Sequence, residues 1–384
     1  MDLGLYIHIP FCRKKCDYCN FYSIPLINNS SSNKTKIIDD YIRALLFEIR
    51  ERSFELNNYT VDTIYFGGGT PSLLSPDQIS TLLNEIYCYF KIHSNDLEIS
   101  IECNPDDFSI KKIDEYKKTG VNRVVLGVQT LSERLHSILG RSASLCGKRL
   151  LSEFISIQNI AHCIDLIIGI PGQTENDLLQ ELYDVTSCGF EHISAYTLSI
   201  EKDTPISKRI TTLHSLNDFQ RILLEKTIDI FTAAGYLHYE VSNYAWPSYA
   251  SKHNLKYWKF LPYAGFGSAA HSFYNGERYY NIKSVEEYIR NTGNIRQKDI
   301  RTKNSEIVEY LMSGMRLTEG ISIKDFEDKI NITIPKDLLN KLNNMKIKGL
   351  LEIKEEDTDK IIRFTKAGFF QMDNLIYEMT EIFL

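Results

Sequence analysis

Three cysteines sit close together near the N-terminus, Cys12, Cys16 and Cys19, in the run Ile9-Pro10-Phe11-Cys12-Arg13-Lys14-Lys15-Cys16-Asp17-Tyr18-Cys19. The spacing is C-x3-C-x2-C. Three thiolates in one loop can hold three corners of a cubane iron–sulfur cluster and leave the fourth iron without a protein ligand. An open iron can chelate a small molecule and pass it an electron. A closed zinc site calls for a fourth Cys or His, usually from a second C-x2-C or H-x3-H pair, and the sequence holds no such pair. His8 stands four residues ahead of Cys12 but reads as part of a strand. On spacing alone, ordinary cysteines and half a zinc knuckle stay open beside the cluster.

The elements that must position these thiols are strands and helices in alternation. Strands are expected over Leu5–Ile9, Thr63–Phe66, Leu97–Glu102, Arg123–Val128, Cys163–Gly169 and His192–Leu198. Between them, Ile38, Tyr41, Ile42, Leu45, Leu46 and Ile49 have the spacing of a buried helix face, and a second helix starts at Ser75 with Pro76 at its first position. Asn28–Lys34 reads as a polar loop. Such alternation implies parallel βαβ units with right-handed crossovers, six of them by about residue 235. The cysteine loop leaves the C-terminal end of the first strand, where α/β proteins place their chemistry.

Polar groups recur at the following strand ends. Gly67-Gly68-Gly69-Thr70-Pro71 follows the second strand, Glu102 closes the third, Gln129 closes the fourth with Arg141 after it, and Asp165 lies in the fifth. Glycines admit a ligand close to the backbone. Each feature has an ordinary alternative: a tight turn, a helix cap at Asp165, a surface ion pair at Arg141. Together they are hard to explain as stability features, which α/β barrels build at the other face.

With these motifs, and with Tyr6-Ile7-His8-Ile9-Pro10-Phe11-Cys12, the sequence resembles the radical S-adenosylmethionine superfamily, in the branch of the oxygen-independent coproporphyrinogen III oxidases and the HemW-type haem chaperones. The resemblance implies an α/β fold with an open, six-stranded partial (β/α) barrel and a smaller α+β, winged-helix-like C-terminal domain. It implies a 4Fe–4S cluster on Cys12, Cys16 and Cys19, and S-adenosylmethionine held by Tyr6, Tyr18, Gly68, Gly69, Thr70, Glu102, Gln129, Arg141 and Asp165. The oxidase carries a further cysteine two residues after the third ligand, where this chain has Phe21, and a longer leading segment. Both departures favour the chaperone. Asn20 and Ser142-Ala143 depart from the chaperone pattern.

A second motif is His253-Asn254-Leu255-Lys256-Tyr257-Trp258. It resembles the H-N-x-x-Y-W segment of the chaperones, which implies haem at His253. A neutral imidazole suits haem iron, and aromatic neighbours can cover a porphyrin. The ordinary alternative is a hydrogen-bonded loop histidine with Tyr257 and Trp258 in the core. His271 is a weaker second candidate.

The expected organisation is a barrel over 1–235, a connecting segment over 236–300 with the H-N-x-x-Y-W motif, and a C-terminal domain over 301–384, with helical runs near Ile307 and Leu338 and a hairpin over 350–365. The 384 residues are 43% hydrophobic, with net charge −6 and no basic stripe, which argues against a nucleic-acid partner. No apolar run reaches about 18 residues, and no signal-peptide pattern is seen. A cytoplasmic, reducing setting is expected, with Cys88, Cys103, Cys146, Cys163 and Cys188 as small core residues. The favoured function is haem binding and transfer to an acceptor haemoprotein. The alternative is radical oxidative decarboxylation of coproporphyrinogen III, and a homodimer is compatible with both.

Overall fold

The computed structural model describes residues 1–26, 31–93, 96–141, 147–209, 214–291, 295–356 and 359–384. The six expected strands all form: β1 (Asp2–Ile9), β2 (Thr60–Gly68), β3 (Glu98–Cys103), β4 (Arg123–Gln129), β5 (Ala161–Ile168) and β6 (His192–Thr197). They lie side by side in chain order, each parallel to the next. Helices α1 (Ser31–Ser53), α2 (Pro76–Tyr89), α3 (Ile110–Lys118), α4 (Glu133–Ile138), α5 (Lys148–Ile155) and α6 (Glu175–Cys188) cross between them, and α7 (His214–Ala233) follows. The hydrophobic stripe of α1 buries Tyr41, Ile42, Leu45 and Ile49 against the sheet. Ser75 caps α2 with a reciprocal capping box to Gln78, so two orphan amides are satisfied where the helix begins. Residues 31–34 lie in α1 rather than in a loop, and the rest of the expected loop falls outside the described residues.

The segment 236–300 does more than connect. It supplies β7 (Leu237–Glu240), β8 (Asn243–Ala245), β9 (Tyr263–Phe266), β10 (His271–Tyr274), β11 (Glu277–Asn281) and β12 (Arg296–Lys298), with α8 (Lys252–Trp258) and α9 (Val285–Arg290) between them. The sheet order is β7-β8-β6-β5-β4-β3-β2-β1-β9-β10-β11-β12. β9 is parallel to β1, so seven strands run parallel, and antiparallel strands extend both ends. The order runs open from β7 to β12, as a partial barrel requires. The inner face follows from strand alternation: Tyr6 and His8, then Thr63, Tyr65 and Gly67, then Ser100 and Glu102, and so on around to Asp165, Ser194 and Tyr196.

The C-terminal part has α10 (Lys303–Gly314), α11 (Ile323–Ile330), α12 (Lys336–Ile347), a small sheet of β13 (Ile321–Ser322), β15 (Asp359–Phe364) and β14 (Leu351–Glu356) in that order, then α13 (Lys366–Phe369) and α14 (Met372–Thr380). Helices followed by a hairpin give the winged-helix-like pattern. A second hydrophobic cluster joins it to the barrel, where Phe260, Tyr263 and Phe273 pack with Ile307, Tyr310 and Leu311. No helix among the described residues is long and apolar enough to cross a membrane. Cys103 and Cys163 are buried as expected. Cys88 is exposed on the outer side of α2, and Cys146 lies outside the described residues.

Candidate functional site

The cysteine loop starts where β1 ends and is pinned to the mouth of the barrel on several sides. Phe11-Cys12 pairs in parallel with Ile24-Pro25, and the Leu26 amide donates to the Cys12 carbonyl at 2.8 Å. The Asp17 amide donates to the Leu139 carbonyl at 3.0 Å, and its carboxylate pairs with Arg209. Arg13 pairs with Asp107, which follows β3. Cys12 is buried, whereas Cys16 and Cys19 are partly exposed. Burial raises the Cys16 and Cys19 thiols, with a further rise from Cys12 at Cys16 and from Cys16 and Cys12 at Cys19. The Thr70 hydroxyl lies 3.5 Å from the Cys12 sulfur. Among the described residues, no three His, Cys, Asp or Glu side chains yet stand close enough to hold a metal ion. The donor set nonetheless suits an iron–sulfur cube: three soft thiols on one anchored loop.

The glycine run is a fitted cradle. Gly68 has φ +111°, a conformation L side chains avoid, and a Cβ there would stand 2.4 Å from the His8 ring. Its amide donates to Glu102 Oε2 at 3.2 Å, while the Tyr65 hydroxyl donates to Oε1 at 2.9 Å. Next along, the Gly69 amide donates to the Ile9 carbonyl. His8 Nε2 lies 3.1 Å from the Tyr22 carbonyl, which can only accept, so Nε2 carries the proton and Nδ1 accepts from the Tyr6 hydroxyl at 3.0 Å. His8 thus ties the far side of the cysteine loop to the barrel's inner face.

Opposite the loop lie the remaining expected residues. Gln129 closes β4 with φ +68°, a left-handed conformation rare for a side-chain-bearing residue, and its amide folds back over Gly127. Arg141 donates to the Tyr18 hydroxyl, the Asn104 side chain and the Gly127 carbonyl, so it bridges the cysteine loop to β3 and β4. Burial pushes Asp165 up to about 6, and its Oδ1 is buried without a hydrogen-bond partner. Burial, and then Asp165, push Glu102 up to about 7. A buried carboxylate oxygen without a partner is expensive unless a ligand donates to it. Glu102, Gln129, Arg141 and Asp165, with Tyr6 and Tyr18, offer acceptors, a cation and an amide around one opening, which fits a zwitterion with hydroxyls. Tyr65, Asn104 and Tyr196 share this face and escaped the sequence reading, and His8, read from sequence only as a strand residue, joins them. The period-two alternation of β1, β2 and β6 was the signal for three of them.

His253 lies elsewhere. It sits on α8, a short helix capped by Ser251 that plugs the other end of the barrel. Its amide donates to Glu98 Oε1 at 3.0 Å. The residue is 1% exposed, with ring Nδ1 2.9 Å from the Thr63 hydroxyl and Nε2 2.9 Å from the Tyr257 hydroxyl. It stacks on Tyr65 at a centroid distance of 5.1 Å. Burial lowers its pKa to about 3, so the ring is neutral. The expected iron ligand is therefore closed off in this conformation: both nitrogens are engaged, and packing against three tyrosines leaves no room for a porphyrin. The alternative of a hydrogen-bonded histidine describes its ring, on a helix rather than a loop, while Tyr257 and Trp258 are half-buried rather than core.

A partial parallel barrel with three thiols at its mouth, a glycine cradle and polar strand ends defines the radical S-adenosylmethionine class, and that superfamily's sequence profile matches residues 6–182. The HemN C-terminal domain profile matches residues 302–370. Over nearly its whole length the chain resembles proteins named heme chaperone HemW: 36% identity to that of Buchnera aphidicola from Acyrthosiphon pisum (86% of this chain, 87% of that one), 33% to that of Bacillus subtilis (91% and 93%) and 33% to that of Escherichia coli (84% and 85%). The chain belongs to the HemW family. Its fold is shared with the Escherichia coli coproporphyrinogen III oxidase HemN, described as a radical SAM enzyme, at a TM-score of 0.82 and 23% identity, covering 100% of this chain and 90% of that one.

Proposed function

We propose that this protein is a haem chaperone built on a radical S-adenosylmethionine scaffold, binding haem and delivering it to an acceptor haemoprotein. Cys12, Cys16 and Cys19 hold the 4Fe–4S cluster, and Tyr6, Tyr18, Gly68, Gly69, Thr70, Glu102, Gln129, Arg141 and Asp165 form the S-adenosylmethionine site. When bound, the cluster supplies an electron and an open coordination position. The chain's own residues bind and orient: His8 holds the loop through the Tyr22 carbonyl, Arg141 links Tyr18 to β4, and Asp165 offers an open acceptor. The carrying observation is the anchored three-thiol loop, which meets the glycine cradle at Thr70 and is bridged to β3 and β4 by Arg141.

The second reading, coproporphyrinogen III oxidation, is favoured by the shared barrel. Against it stands Phe21, 72% exposed beside the cluster loop, where the oxidases have a further cysteine. The test is anaerobic. Reconstituted protein is assayed for iron and sulfide, titrated with haem, and incubated haem-loaded with apomyoglobin. Saturable haem uptake and transfer, without turnover of coproporphyrinogen III, support the chaperone. Turnover without stoichiometric haem binding supports the oxidase.

A further inference from the structure

A haem carrier needs an imidazole that iron can reach, and the chain has nine histidines. His214 is set aside because its side chain is outside the described residues. Of the other eight, His8, His162 and His253 have both ring nitrogens engaged. His136 and His192 are buried, with Nε2 bound to the Thr130 carbonyl and the Tyr239 hydroxyl. His238 stacks on Tyr244 and meets Phe369 edge-on, with Nε2 shielded from solvent. His93 is exposed but bonded to Asp2, at the end of β1 away from the cysteines.

His271 differs from all of these. It opens β10, is exposed, and its ring has no hydrogen-bond partner among the described residues. Its strand partner is Tyr280, whose ring lies 5.9 Å away at 31° and is itself 36% exposed. β10 joins the sheet through β9, which pairs with β1, so His271 lies on the same side of the barrel as the cysteine loop. It is near enough to His8 to act on that ring's charge. His8 in turn stacks at 6.3 Å on Tyr22, over which the Lys283 ammonium stands at 5.5 Å. An accessible neutral imidazole, a flat aromatic neighbour and a nearby exposed cation are what iron, porphyrin and propionate each need.

We propose that His271, not His253, is the axial ligand that receives haem iron, with Tyr280 as the aromatic flank and Lys283 as the cation for a propionate. This rests on the chaperone reading above. His253 becomes a positioning residue that seals the barrel floor through Thr63 and Tyr257.

The test is an anaerobic haem titration of the full-length protein, followed by Soret absorption and electron paramagnetic resonance, on wild type, His271→Ala, His271→Gln and His253→Gln. We expect saturable binding with a histidine-ligand signature in wild type. That signature should be lost, with affinity reduced at least about tenfold, worth about 1.4 kcal/mol, in both His271 variants. Added imidazole should restore the spectrum, and His253→Gln should keep it. Because His271 is exposed and its ring has no hydrogen-bond partner among the described residues, its substitution leaves the fold intact. If the His271 variants bind like wild type, the ligand assignment falls and the chaperone reading stands. If folded His253→Gln alone loses the signature, the assignment also falls. If wild type binds no haem saturably, the chaperone reading falls and takes the assignment with it.

Discussion

Glu102→Gln tests the electrostatics of the candidate site directly. Glu102 is held by the Tyr65 hydroxyl and the Gly68 amide, and burial with Asp165 nearby pushes it up to about 7 from an ordinary 4.5. The sign follows from proton linkage. The folded state keeps a proton between pH 4.5 and 7 that the unfolded chain has released, so folding is favoured at low pH and loses stability as pH rises through this window. A pKa unit is worth about 1.36 kcal/mol, and between pH 5 and pH 8 the shift amounts to about 2 kcal/mol from this group. Asp165, pushed up to about 6, adds about 1 kcal/mol in the same direction. At an unfolding entropy of about 2 cal/mol/K per residue over 384 residues, 2 kcal/mol corresponds to about 2–3 °C in melting temperature. The substitution has two separable effects. An amide cannot accept from both donors, which costs about 1–3 kcal/mol at every pH. It also cannot ionise, so the dependence on pH flattens by about 2–3 °C between pH 5 and pH 8. Scanning calorimetry of cluster-free wild type and variant at the two pH values reads both. A variant whose melting temperature falls with pH as steeply as wild type would refute the assignment of the raised carboxyl to Glu102.

Three further outcomes are expected. Cys12→Ala, Cys16→Ala and Cys19→Ala each abolish reconstituted iron and acid-labile sulfide while circular dichroism is unchanged; stoichiometric sulfide in any one of them would remove that cysteine from the ligand set. Gly68→Ala forces a Cβ at φ +111° to within 2.4 Å of the His8 ring, so it should displace His8, loosen the cysteine loop and lower cluster occupancy severalfold by iron analysis. Thr63→Val removes the hydroxyl facing His253 Nδ1 and should cost about 1–3 kcal/mol, read as a lower melting temperature with reconstituted iron unaltered.

How much was legible from sequence divides along physical lines. The parallel strands of the barrel were readable because each is a short apolar run flanked by turn residues, and the α1 and α2 stripes repeat at helical spacing. The C-x3-C-x2-C loop was readable because ligand spacing is local: three thiols within one loop are neighbours in any fold. The hairpin and helices of the C-terminal part were readable for the same local reason. Once the strand order follows the chain order, Glu102, Gln129 and Asp165 must share one mouth.

What tertiary structure alone decided is which of the polar residues face a cleft and which face a core. β9 joining β1 in parallel pairs residues about 260 positions apart in sequence, and β8 reaches back about 50 positions to β6, which no local pattern encodes. The same long-range closure carries α8 into the barrel floor. Nothing within His253-Asn254-Leu255-Lys256-Tyr257-Trp258 says that Thr63 and Glu98, from β2 and β3, will bind its imidazole and its backbone amide. A histidine's chemistry is set by what occupies its two nitrogens. For His253 one partner, Tyr257, sits one turn on in the same helix and the other, Thr63, comes from the fold around it, whereas for His271 no described residue bonds either nitrogen.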